Sequence, residues 1–492
     1  MERILTEQEI VRRGKINKLI EAGIKPFGSR YLRTDSAETI RAYALEKDKE
    51  ELEANPHTVA IAGRIMFIRK MGKASFFNIQ DQTGKMQAFI QRDIVGEQVY
   101  DIFKSADLGD IVGIKGHIMR TQTGEVTVRV SEYTHLVKAL KPLPEKFHGL
   151  TDIEERYRRR YVDLIMNEEA RKVAFLRPKI IRAIQNYFDD QGYVEVETPV
   201  LQPILGGANA RPFITHHNTL DRDFYLRIAT ELPLKRLMVG GMEKVYEIGR
   251  LFRNEGMDTR HNPEFTTVEA YLAYGDLNDM FDLAEGLIRS VALKVTGSTM
   301  LPYGNQQIDV GQPFKRVHMV DAIKEKTGID FWQHLTLQEA IDLAKKHDVK
   351  LEKHFTIGHI INEFFETFCE TDLIQPTFVY GHPIEVSPLT SKSDDPRFTL
   401  RFELYINASE MANAYTELND PLDQRDRFED QLKAKELGDE EANEIDEDFL
   451  EALEYGMPPA GGIGIGIDRL VMLLTNQASI REVILFPTMR DR

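Results

Sequence analysis

Cysteine is nearly absent from this chain. The single one in 492 residues, Cys369, excludes an internal disulfide and fits a reducing compartment. Its neighbours Phe364, Phe365 and Phe368 point to a buried, unreactive thiol and not to a nucleophile. Long apolar runs are missing too: no stretch of about 18 apolar residues occurs, so no membrane span is expected. The first residues, Met1 to Glu7, carry no apolar signal core, and a cytoplasmic location is expected. There are no repeats and no low-complexity tail. Positive charge is in deficit, with 63 Lys and Arg against 79 Asp and Glu, a net of −16. That balance argues against binding nucleic acid, which needs cations against phosphates.

The distribution of charge tempers this. From Asp420 to Glu454 there are 15 acidic and 4 basic residues, whereas His57 to His148 holds 13 basic and 9 acidic. The acidic excess thus lies near the C-terminus and the first third is mildly basic. Arg156, Arg158, Arg159 and Arg160 add a basic cluster, either a solvated face or a steering patch for a partner. Hydrophobic content of 42% is that of a folded protein, and this length requires more than one domain.

Hydrophobic period divides the chain. Residues 1–55 read as a helical segment, with a stripe of Ile10, Ile16, Leu19 and Ile20. From 56 to 145 five strands alternate (59–66, 75–81, 86–90, 111–116, 125–130), with one helical insert at 95–104. That count suits a small OB-fold barrel, a common binder of single-stranded nucleic acid. Lys141-Pro142-Leu143-Pro144 reads as a stiff linker. Residues 146–492 mix helix and strand. A helix is expected over 175–188 with Pro178 near its start, then a strand over 192–199 closed by Pro199. A helical insertion is expected at about 275–375, and an acidic helix over 421–454. The fold class read is α+β.

Two segments carry chemistry. Gly249-Arg250-Leu251-Phe252-Arg253-Asn254-Glu255-Gly256, running on to His261-Asn262-Pro263-Glu264-Phe265, sets an arginine, an acid, a histidine and an aromatic on one strand–loop–strand. Gly461-Gly462-Ile463-Gly464-Ile465-Gly466-Ile467-Asp468-Arg469 ends a glycine-rich strand with an arginine at a helix start. Met71-Gly72-Lys73-Ala74-Ser75 lacks the leading glycine of a phosphate loop, and Gly464-x-Gly466 lacks the third glycine of a dinucleotide fingerprint. Glu403 and Glu410 flank Asn407-Ala408-Ser409, a turn that would bring both carboxylates to one side as a magnesium pair.

The two segments resemble motifs 2 and 3 of class II aminoacyl-tRNA synthetases, which hold ATP bent over an antiparallel sheet. Gly206 to Phe213, Leu226 to Leu232 and Asn413 to Asp420 narrow the resemblance to the class II lysyl-tRNA synthetases, over essentially the whole chain. It implies an OB-fold anticodon-binding domain, then a catalytic antiparallel-sheet domain with a helical insertion. The implied activity is ATP-dependent activation of L-lysine and its transfer to the 3′ end of tRNA(Lys). Arg253 and Arg469 would act on the phosphates; Glu255, His261, Asn262, Phe265, Glu403 and Gly466 would complete the ATP site. Gly207, Glu231, Arg253, Glu269, Tyr271, Asn413 and Glu417 would take lysine, with Glu417 and Tyr271 on the ε-ammonium. Glu403 and Glu410 would hold Mg2+. Arg69, Phe76, Gln87 and Glu132 would read the anticodon, and Phe77 would face the barrel core. Pro199 matches motif 1, implying a homodimer; Thr230 departs from the usual small residue or proline. Aspartate- or asparagine-specific relatives would need a cation or amide in place of Glu417. Two alternatives are a paralogue lysylating a protein, though the one known lacks the N-terminal barrel, and a catalytically dead tRNA-binding protein, though no key arginine or acid is lost.

Overall fold

Period-2 alternation writes the strands of both halves of the chain. In the computed structural model, which describes residues 4–144, 152–208, 210–436 and 445–491, the chain divides into two units, 1–151 and 152–492. The boundary expected at 145/146, Asn209 of the glycine-rich motif, and residues 437–444 of the acidic stretch lie outside the described residues.

The first unit is a closed barrel. Its strands are β1 (Thr58–Met71), β2 (Ala74–Gln80), β3 (Lys85–Gln91), β4 (Ile111–Arg120) and β5 (Val126–Val137), ordered β1-β2-β3-β5-β4. Closure leaves no open edge, and inward residues such as Ile61, Phe77, Ile90, Ile114 and Val128 fill the interior. Two short helices, Ala37–Ala44 and Lys49–Ala54, send Ala37, Ile40, Ala44 and Leu52 into the same core. The first helix, Glu7–Glu21, differs from its expected apolar stripe: Leu19 is buried, but Ile10 and Ile20 are exposed beside buried Glu9 and Arg12.

The second unit is built on an eight-stranded sheet. Its strands are β6 (Val194–Glu195), β7 (Lys244–Phe252), β8 (Glu264–Ala273), β9 (Lys315–His318), β10 (Thr377–Tyr380), β11 (Arg401–Tyr405), β12 (Glu410–Thr416) and β13 (Ala460–Gly466). The order is β9-β10-β11-β12-β13-β8-β7-β6, antiparallel except at the two edge pairs. One face is apolar: Val268, Ala270, Ile463, Ile465, Ala412, Ala414, Phe402 and Leu404 pack on helices α1 (Glu168–Asp190) and α2 (Leu277–Thr296). The alternate residues on the other face are free to build a site.

Four expectations change. Pro178 lies inside α1, not near its start, and on its exposed side. The strand expected over 192–199 is only the two-residue β6 at the sheet edge. The region 275–375 is not a purely helical insertion: α2 is core, Met300–Tyr303 and Gln306–Asp309 form a hairpin, and β9 extends the sheet. The arginine cluster is no open patch. Arg156 and Arg160 bind Asp163, and Arg158 and Arg159 pair with Glu154 and Glu155 one turn back. Cys369 is buried with Phe364 and Phe365, and burial pushes its thiol up to about 11, so it is inert at neutral pH.

Candidate active site

Register assembles the site from distant segments. One row crosses the sheet as Glu247, Glu269, Gly464, Asn413, Glu403, and the next as Val245, Tyr271, Gly462, Tyr415, Arg401. The central strand contributes only glycines to these rows, while its isoleucines point into the core. The sheet therefore has a bare floor there, with polar walls rising on both sides. Above it lies a cavity of about 440 Å³. It is lined by Gly207, Glu231, Arg253, Glu255, His261, Asn262, Phe265, Glu269, Tyr271, Glu403, Glu410, Asn413, Gly466 and Arg469. Every residue expected to meet ATP, lysine or metal lines this cavity except Glu417, which is buried behind it.

One end is cationic. Arg253 leaves β7 where its backbone N–H donates to Pro263 at 2.9 Å, and its guanidinium lies 5.2 Å from the Phe265 ring centroid. Its Nε is buried without a hydrogen-bond partner, a donor waiting for an anion. Arg469 sits at the start of helix α3 (Ile467–Thr475), whose N-terminus has no side-chain cap. Asp468 anchors that turn, accepting from Thr266 N at 2.7 Å and from Arg177 at 2.5 Å. His261 is exposed and paired with Asp258 at 2.9 Å, and Asn262 holds the loop by donating to the Glu264 carbonyl at 2.7 Å. Glu255 is exposed at the rim.

The other end is acidic. Burial, then the neighbouring charge of Glu231, pushes the Glu269 carboxyl up to about 7. Burial likewise raises Glu417, with Lys235 opposing and Glu231 adding to the rise. A Cβ placed on Gly462 would fall 2.0 Å from Glu417 Oε1 and 2.5 Å from Tyr271 Cε1, so both groups press on the cavity floor at that glycine. Gly207 adopts φ +92°, a conformation that favours glycine.

Between the two ends stand Glu403 and Glu410, on β11 and β12. The predicted turn joins them, with Asn407 and Ala408 both at φ +52°. Burial opposes the charge of Glu403, but Arg401, His382 and Tyr405 outweigh it and hold the carboxyl well below the usual range. Burial and the charge of Glu403 push Glu410 the other way. Glu403 is paired with Arg401, and Glu410 lies 3.3 Å from Arg469, so a divalent cation would share these two carboxylates with the arginines. No cluster of three or more His, Cys, Asp or Glu side chains that would hold a metal occurs among the described residues, so phosphate and water would supply the other ligands.

Some groups were not singled out from sequence. Arg401 is half-buried, binds Glu403 at 2.5 Å and holds Asn413 through its side-chain oxygen at 3.1 Å. His382 is buried with Nε2 3.5 Å from Glu403. Arg260 lines the cavity and reaches Glu370 at 3.7 Å. Lys235, one turn after Glu231, had a signal in that i,i+4 spacing, but such pairs usually lie on helix surfaces.

The barrel carries a second polar face. Arg69, Phe76, Phe89 and Arg129 are successive cross-strand partners, and the Phe76 and Phe89 rings stand 4.6 Å apart. Phe76 is half-buried while Phe77 is in the core. Gln87 accepts from Thr127 at 2.8 Å; Glu132 is exposed and paired with Lys115 at 2.9 Å. Phe89 was not foreseen as part of this face.

A barrel of OB type in one unit and a cavity built on antiparallel strands in the other define a class. Residues 152–490 match the family model of class II tRNA synthetases (D, K and N), and residues 59–136 match that of the OB-fold nucleic acid binding domain. The lysine–tRNA ligase of Enterococcus faecalis is 59% identical over 99% of this chain and 98% of its own length. Those of Streptococcus sanguinis and Bacillus subtilis are 60% and 57% identical over the same shares. The chain belongs to the lysine–tRNA ligase family of class II tRNA synthetases.

Proposed function

We propose that this chain activates L-lysine with ATP and transfers it to the 3′ end of tRNA(Lys). The observation that carries the reading is the polarity of one cavity: Arg253 and Arg469 at one end, and Glu231, Glu269 and the underlying Glu417 at the other. A triphosphate needs the first end, and an amino acid with a second ammonium needs the other.

In this reading lysine's carboxylate oxygen attacks the α-phosphorus of ATP, a P–O bond forms, and pyrophosphate leaves. The terminal ribose hydroxyl of tRNA then attacks the acyl carbon and AMP leaves. No side-chain nucleophile is involved; positioning and charge carry both steps. The guanidinium fork of Arg253, its Nε unpartnered, serves attacking carboxylate and attacked phosphate together. Phe265 offers its ring to adenine, and Glu255 its carboxylate to the adenine amino group. Asn413, held by Arg401, steadies the lysine carboxylate. Glu403 and Glu410 would hold Mg2+, which supplies neutralisation of phosphate charge when bound.

A lysine-dependent ATP–pyrophosphate exchange assay against all twenty amino acids tests the assignment. Exchange with lysine is expected; exchange only with aspartate or asparagine would refute it. The Phe76 and Phe89 pair supports anticodon stacking on the barrel. Phe76→Ala is expected to spare lysine activation and cut tRNA charging by about five- to 150-fold, from a stacking contact of about 1–3 kcal/mol. An equal loss in activation would place Phe76 in a structural role. The homodimer is supported by exposed apolar groups around α1 and the strand after it, Phe175, Val194, Val200 and Leu201. A cytoplasmic location fits the same reading.

A further inference from the structure

Lys235 is fully buried, behind the cavity and not on its lining. It lies on the helix Glu231–Val239, and its Nζ stands 2.5 Å from Glu231 Oε1 and 2.5 Å from Glu417 Oε2. Those carboxylates come from elements far apart in sequence, one at a helix start and the other just beyond β12. Two such contacts to one atom limit the separation of the two oxygens to about 5 Å. Glu417 is fixed from behind as well: its N–H donates to the Ala460 carbonyl at 2.8 Å, and its own carbonyl accepts from Ser391 at 2.8 Å. Its second oxygen, Oε1, is thereby left toward Gly462 and Tyr271 at the cavity floor.

We infer that Lys235 is a positioning residue that locks the acid for the substrate's α-ammonium to the acid for its ε-ammonium, and so sets the length of side chain the pocket accepts. This rests on the proposed lysine-binding reading, in which Glu231 and Glu417 take those two ammonium groups. The physical need is clear. Two carboxylates buried at this distance repel each other, and each would take up a proton or turn away without a shared cation. Burial opposes the charge on Lys235, but Glu231 and Glu417 outweigh it and keep the ammonium charged. A cation that is part of the protein stays in place when the pocket is empty, so both anchors are held at fixed spacing before lysine arrives. Ornithine, one methylene shorter, brings its two ammonium groups closer together, so a rigid pair of anchors set for lysine seats it less well.

The test is exchange kinetics of the full chain with lysine and with ornithine, for wild type and for Lys235→Met, which keeps length and loses charge. The expected result is a lysine KM raised at least tenfold, an ATP KM within about threefold of wild type, and a lysine-to-ornithine ratio of kcat/KM lowered at least fivefold. Should Lys235→Met not fold, as judged by its melting transition, Lys235→Arg keeps the charge and alters the spacing; the same KM split and the same fall in the ratio are expected of it. A lysine KM and ratio within twofold of wild type would overturn the inference. So would lysine and ATP KM rising together, the mark of general disruption, or a raised lysine KM with an unchanged ratio. Failure of the wild type itself to use lysine would instead refute the functional reading, before any variant is compared.

Discussion

Arg253→Ala is expected to lower lysine-dependent pyrophosphate exchange by about a thousandfold, the scale of losing one preorganised charge donor in a buried site. Melting temperature should barely change, because Arg253 shows no ion pair among the described residues and its Nε has no partner to lose. Arg253→Lys is expected to recover about a tenth of the loss or less: an ammonium restores charge but not the fork that spans carboxylate and phosphate at once. Both losses should fall on kcat/KM for lysine and for ATP alike, since one guanidinium touches both substrates. A drop of less than tenfold for Arg253→Ala would show that Arg469 and Arg260, at the same end of the cavity, suffice without it.

Glu417→Gln is expected to act on lysine alone, raising its KM by about a hundredfold or more while the KM for ATP stays within threefold. A buried amide cannot neutralise an ammonium, and leaving a buried charge unpaired costs several kcal/mol. It also leaves Lys235 paired with Glu231 alone among the described residues. Calorimetry should report the acidic end of the cavity through protons. Burial raises Glu269 to about 7, so the empty pocket holds a proton there at neutral pH, while Lys235 opposes the rise of Glu417. An arriving ammonium favours the charged carboxylates, so lysine binding releases protons and tightens as pH rises from 6 to 8. The charged groups facing these acids are Glu231, Arg253 and Lys235, with Tyr271 and Tyr415 alongside. Titrations at pH 7 in buffers of different ionisation enthalpy would measure the release, which should be smaller in Glu417→Gln. Equal losses for lysine and ATP would make Glu417 a purely structural acid, and no proton release in the wild type would refute a protonated Glu269.

Much of this was legible in the chain. Gly462, Gly464 and Gly466 alternate with Ile463 and Ile465, which already describes a strand with a bare face and an apolar face. Phe76 beside Phe77 describes one ring out and one in, as the barrel has them. The turn between Glu403 and Glu410 followed from Asn407-Ala408-Ser409. Lys235 was not legible, because a glutamate and lysine four residues apart look the same on a solvated helix and on a buried one. Arg401 was passed over as a flank of the metal pair, since only its place beside Tyr415, Asn413 and Glu403 makes it the prop of the site. The strand expected over 192–199 shrank to two residues because pairing at the edge of a sheet is set by the neighbour, here β7, and not by β-propensity alone.

The sequence by itself determined which groups face which side of each strand, because side-chain direction repeats every two residues in a strand and depends only on local backbone geometry. It also determined the chemical kinds at the two ends of the cavity. Tertiary structure alone decided which groups meet. Glu269, Gly464, Asn413 and Glu403 form one row only through the register of strands separated by as many as about two hundred residues. Burial in that assembled sheet then raised Glu269 and Glu417 and left Lys235 between two acids. Register and desolvation are properties of the packed whole, so no local pattern could have announced them.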